Sequence, residues 1–128
     1  MARSMLLSGI LLLLAAGTVL AWRARSPVAW EWWREEGDLA WTWWTAALVH
    51  RSAAHGVANL LTLGALGVLG QALRVPAPGA LALALAWPLS TLGLWLFPQI
   101  DRYAGMSGVL HAAVAVLVVH CVLARDLK

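Results

Sequence analysis

Four apolar stretches, each close to the length that crosses a bilayer, constrain this chain more than any other feature. A spanning helix needs about 20 predominantly apolar residues. The stretches are 5–22, 52–73, 79–97 and 107–124. Arg3 and Arg23 bracket the first, Arg74 and the helix-stopping Pro-Ala-Pro-Gly end the second, and Arg125 ends the fourth. Leucine and alanine alternate through the third as in a strand. In lipid, however, every backbone polar group must be satisfied within its own segment, so a helix is expected there, kinked at Pro88. Alone, 5–22 has the basic start and leucine core of a cleaved signal peptide; beside three further spans it reads as a retained helix. The expected fold is an all-α membrane protein, a polytopic bundle of about four helices forming one domain over 1–128.

Composition agrees. Apolar residues make up 62% and charged residues 12%, against about a quarter charged in soluble domains. The solvent for most of this surface is therefore lipid. A net charge of +3 reflects scarce acids, and with no Lys/Arg cluster nothing points to nucleic acid as a partner. Cys121 is the only cysteine, which excludes an intrachain disulfide and a thiolate-built metal site. Arg3, Arg74, Arg125 and Lys128 fall on one side of the membrane and Arg23, Arg25, Arg34, Arg51 and Arg102 on the other. That distribution leaves the orientation open.

The one long connection, 23–51, holds Trp30, Trp32, Trp33, Trp41, Trp43 and Trp44 together with Glu31, Glu35, Glu36 and Asp38. Tryptophan favours the headgroup layer, where its ring is half buried and its N–H stays wet. The plainer reading is an interfacial belt; the richer one is a structured loop beside a site.

Polar side chains within a span are costly and therefore mark candidate function. His55 and Asn59 are four residues apart on one face of the second span, with His50 just before it. Such a pair can simply hydrogen-bond a neighbouring helix, or it can point two donors at one oxygen. Ser107 opens the fourth span between Gly105 and Gly108, where a helix amino terminus offers free N–H groups and a positive dipole end. Counting crossings puts Ser107 at the same surface as His50 and His55. These are the parts of an acyl-transfer site. His111 and His120, nine apart, lie on opposite sides of one helix, and no carboxylate lies inside a span, so neither a metal nor a cofactor is expected.

The order His50-x-x-x-x-His55-x-x-x-Asn59, then Gly105-x-Ser107-Gly108, resembles the rhomboid intramembrane serine proteases. Trp44–His50 is similar to that family's entry into the helix, and the shorter form and the Ser-Gly-Val-Leu-His run from Ser107 to His111 are similar to the rhombosortase branch. The resemblance covers 41–124. It implies a helical bundle in the bacterial cytoplasmic membrane with a cavity open to the outer, periplasmic face. It further implies Ser107 as nucleophile, an oxyanion hole of His55, Asn59 and the Ser107 N–H, and Gly105 and Gly108 shaping the turn. His50 matches a supporting histidine. The implied substrates are membrane-anchored exported proteins, cut near a C-terminal transmembrane sorting helix. In that family the partner histidine of the serine lies on a later span, whereas 21 residues follow Ser107 here. The expectation is a base on a span beyond Lys128, with His111, at i+4, as the alternative within the chain. A catalytically inactive relative that binds transmembrane helices, or a structural subunit, is the competing expectation.

Overall fold

The computed structural model describes residues 5–36 and 39–126; Arg3, Asp38 and Lys128 lie outside the described residues. Its helices are α1 (Met5–Arg23), the short α2 (Thr42–Thr45), α3 (Ala53–Ala72), α4 (Ala77–Leu92) and α5 (Ser107–Asp126). A 3-10 turn, Gly93–Leu96, extends α4. Among the described residues, four segments are long and apolar enough to cross a membrane: Met5–Arg23, Ala53–Ala72, Ala77–Leu96 and Ser107–Ala124. The chain is accordingly an all-α bundle of membrane-protein character.

Local chemistry sets the helix ends. Ser52 caps α3, its Oγ accepting from His55 N–H at 3.2 Å. At the other end Arg74 takes a left-handed φ of 56°, Val75 N–H returns to Gly70 C=O at 3.0 Å, and the Val75 side chain is buried. That is the closure expected when a helix must stop and reverse. The third span begins at Ala77, two residues before the sequence-based boundary. Prolines are tolerated in a first helical turn, and Pro76 and Pro78 occupy that region. Pro88 stands inside α4 without ending it.

Each long helix buries one narrow stripe and leaves the remainder to lipid. On α1 the stripe is Leu7, Ile10, Leu14, Thr18 and Ala21; on α3 it is Gly56, Asn59, Leu63, Gly67 and Gly70. Both follow the three-to-four spacing of a helix face. The α3 stripe consists largely of small residues, which lets backbones approach where lipid gives no hydrophobic drive to association. The α4 helix packs most extensively on α5, α1 lies against α3 and α4, and α3 reaches α5. Leu14, Leu83, Met106 and Val109 meet in the core. Leucines such as Leu12, Leu61, Leu85 and Leu123 face outward.

The described residues of the connection 23–51 form a built layer over one end of this bundle. Its strand β1 (Trp32–Trp33) pairs antiparallel with β2 (Arg102–Tyr103), in the connection that leads to α5. Arg34 fastens the same connection, donating to the carbonyls of Ile100, Leu94 and Phe97 at 2.8–3.0 Å. Trp32 is fully buried, edge-on to Trp95 with 5.8 Å between ring centroids, and Arg34 lies over both rings. A belt residue at the headgroup level would be half exposed, so Trp32 departs from that reading; Trp41 and Trp44, both exposed, fit it.

Candidate active site

One half of the site comes from the start of α3. His50 precedes the helix, and Ser26 Oγ donates to its carbonyl at 3.0 Å. Its ring Nδ1 lies 3.3 Å from Leu48 C=O and its Nε2 lies 2.8 Å from Asn59 Nδ2. A carbonyl only accepts and an amide nitrogen only donates, so the imidazole here is neutral, with its proton on Nδ1. Burial lowers the pKa of His50 below the usual histidine value, and the nearby His55 lowers it further, against an opposing push from the Leu48 hydrogen bond. Asn59, one of the two expected side-chain donors to the oxyanion, is buried and spends one N–H on His50. The other, His55, is exposed and stands edge-on to His50, 5.4 Å between ring centroids.

The other half comes from the turn into α5. Gly105 has φ +136°, a region that residues with a side chain rarely enter. Its N–H donates to Ala46 C=O at 2.9 Å, tying the turn to the 3-10 turn that follows α2. A Cβ built on Gly105 would sit 3.4 Å from His55 Cε1 and 4.0 Å from His55 Nε2. The α3 imidazole therefore lies directly against the turn that delivers Ser107. Ser107 is half-buried at the first position of α5, and Gly108 packs so closely on α4 that an added Cβ would meet Ser90 Cβ at 3.0 Å.

Crossing order thus brings Ser107, His55, Asn59 and His50 to one end of the bundle. It does not join Ser107 to a base among the described residues. The Ser107 hydroxyl lies 3.4 Å from Tyr103 OH, which also accepts from Gly108 N–H at 3.3 Å. His111 is exposed, and its Nδ1 bonds Ser107 C=O, rather than Oγ, at 2.7 Å. That leaves its Nε2 as the nitrogen able to accept a proton. His120 bonds Leu73 C=O at 3.0 Å, at the far end of the bundle.

Tyr103 is the site residue that sequence reasoning missed. Its spacing offered a signal, since a phenol four residues ahead of a helix-opening serine can reach back over the first turn. No family model matches this chain, and no curated protein or solved structure is significantly similar to it.

Proposed function

We propose that this chain is the core of a rhomboid-type intramembrane serine endopeptidase, related in kind to the rhombosortases. The observation that carries the reading is the placement of His55 against the Gly105 turn, at the bundle end where Ser107 opens α5. Ser107 Oγ attacks the carbonyl carbon of a peptide bond at the membrane surface. The C–N bond then breaks, the amine leaves with a proton, and water hydrolyses the resulting ester to regenerate the serine. Developing negative charge on the carbonyl oxygen is met by the Ser107 N–H at the positive end of α5, by His55, and by the second N–H of Asn59. The attack also requires an imidazole that takes the Oγ proton; within this chain the candidate is His111 Nε2. The substrates are exported membrane-anchored proteins with a C-terminal transmembrane helix, and the site faces the outer side of a bacterial cytoplasmic membrane.

A membrane-anchored reporter co-expressed with the full gene product tests this. Cleavage is expected and should disappear in Ser107→Ala; cleavage unchanged in that variant overturns the reading. One observation favours a second reading, a non-catalytic binder of transmembrane helices: the hydroxyl is hydrogen-bonded to Tyr103 and to no histidine among the described residues. In that case client helices co-purify equally with the native chain and with Ser107→Ala, and no cleavage occurs.

A further inference from the structure

Beside the candidate active site, and separate from Ser107, a cavity of about 620 Å³ opens between the end of α1, the start of α3 and the surface layer. Its wall carries three guanidinium groups, Arg25, Arg51 and Arg102, and one carboxylate, Glu31. Glu31 is 3% exposed; it pairs with Arg102 through both carboxylate oxygens and with Arg51 at 3.5 Å. Three positive charges against one negative leave an excess of two. Arg25 makes no ion pair among the described residues, and a left-handed φ of 59° sets its backbone just past the end of α1. The N-cap Ser52 and the first residue, Ala53, of the 20-residue α3 also line the cavity, adding the positive end of a helix dipole. Thr18, 1% exposed, contributes a buried Oγ1 with no hydrogen-bond partner, a group that an incoming oxygen would satisfy.

The same two helices form a second, apolar groove of about 660 Å³. Its α1 residues, Ser8, Leu11, Leu12 and Ala15, continue at three- and four-residue steps into Thr18 and Trp22 of the cationic cavity. On α3, Ala53 of the cationic cavity lies seven residues, about two turns, before Leu60 of the groove and so on the same face, which continues through Gly64 and Gly67. One helix face thus presents a cationic chamber at the membrane surface and an apolar channel at bilayer depth below it.

We infer that this face is a binding site for a single anionic phospholipid, with the headgroup phosphate held among Arg25, Arg51 and Thr18 and an acyl chain lying in the groove. The excess positive charge selects a headgroup of net negative charge over a zwitterionic one. Glu31 fixes the Arg51 side chain in advance, so of the two phosphate-binding arginines the ligand has only Arg25 left to order.

The test is native mass spectrometry of the full chain in detergent, titrated with phosphatidylglycerol or phosphatidylcholine, alongside thermal melting with the same lipids and with inorganic phosphate. Phosphatidylglycerol should be retained in a 1:1 complex and should raise the melting temperature more than phosphatidylcholine. Each of Arg25→Gln and Arg51→Gln should weaken retention about fivefold. Equal retention of both lipids overturns the proposal. Stabilisation by inorganic phosphate equal to that by phosphatidylglycerol also overturns it, since the ligand would then be a free anion. Gly64→Leu is the independent check, because Gly64 lines the groove and a Cβ there meets nothing within 4 Å, so the added side chain extends into the acyl-chain space. That variant should fold and lose lipid with every charge intact; unchanged retention would remove the acyl-chain half of the site. None of these readouts depends on proteolysis.

Discussion

The two halves of the candidate site are held by opposite means. On the α3 side the polar groups are locked: His50 is 8% exposed, with Ser26 on its carbonyl, Leu48 on Nδ1 and Asn59 on Nε2. On the α5 side the backbone is fixed and the functional group is nearly free. Gly105 is pinned through Ala46 and by its own conformation, while the Ser107 hydroxyl has one long contact. A buried hydrogen bond that satisfies both partners belongs to the frame, because breaking it strands a desolvated group. A hydroxyl delivered by a turn that glycine alone readily adopts, and left with a weak partner, is available for chemistry.

Breaking the locked half should cost the most. His50→Ala leaves Asn59 Nδ2 unsatisfied and opens a void beside Gly56, at a cost of about 3 kcal/mol; chemical denaturation in mild detergent measures it. The double variant His50→Phe/Asn59→Leu should recover most of that loss, since replacing both partners of a buried pair is far cheaper than orphaning one. A double variant no more stable than the single one would show that the pair does more than satisfy itself. Next comes Gly105→Ala, at about 2 kcal/mol, from forcing a side chain into the positive-φ region against His55. It should also abolish reporter cleavage, because the turn that aims Ser107 would shift. A Gly105→Ala protein that cleaves normally would break the link drawn between turn geometry and the serine.

The locked half also predicts a pH response. Burial lowers the pKa of His50 in the folded protein, so on acidification the unfolded chain takes up the proton first. The stability contributed by neutral His50 is complete above about pH 6.5, the unfolded value. It declines as pH falls from there through the lower folded value. Melting curves between pH 8 and pH 5 should show this fall in the native chain and a shallower one in His50→Phe/Asn59→Leu. Parallel curves for the two proteins would remove His50 as the cause.

The spans were legible in the sequence because lipid leaves the backbone only one economical solution, and length plus hydropathy then locate the helices. Ser107, His55 and Asn59 could be brought to one end by counting crossings, without knowing how the helices pack. The surface layer was not legible. The pairing of Trp32 with Tyr103 joins residues 71 apart, and two-residue strands carry no periodicity to find. The Glu31–Arg102 pair and the reach of Arg34 to three carbonyls are likewise long-range, and neither residue type announces its partner. The turning of Asn59 toward His50 was hidden for a related reason. Helical spacing puts His55 and Asn59 on one face, but His50 lies before the helix, and its direction depends on the loop that carries it.

The smallest effect on stability falls on the free half and tests whether it is free. Tyr103→Phe deletes the phenol oxygen that accepts from Gly108 N–H at 3.3 Å and sits 3.4 Å from Ser107 Oγ. Both contacts are long and Tyr103 is only partly buried, so the stability lost should be about 0.5 kcal/mol. Its consequence for reactivity is more telling. Losing the phenol frees the Gly108 N–H at the helix start and uncovers one side of the serine hydroxyl, so reaction of Ser107 with a fluorophosphonate should be as fast as in the native chain or faster. If labelling instead falls tenfold with the fold intact, Tyr103 positions the nucleophile. The α5 half would then be held by a side-chain network like that of the α3 half, and the contrast between them would fail at the hydroxyl itself.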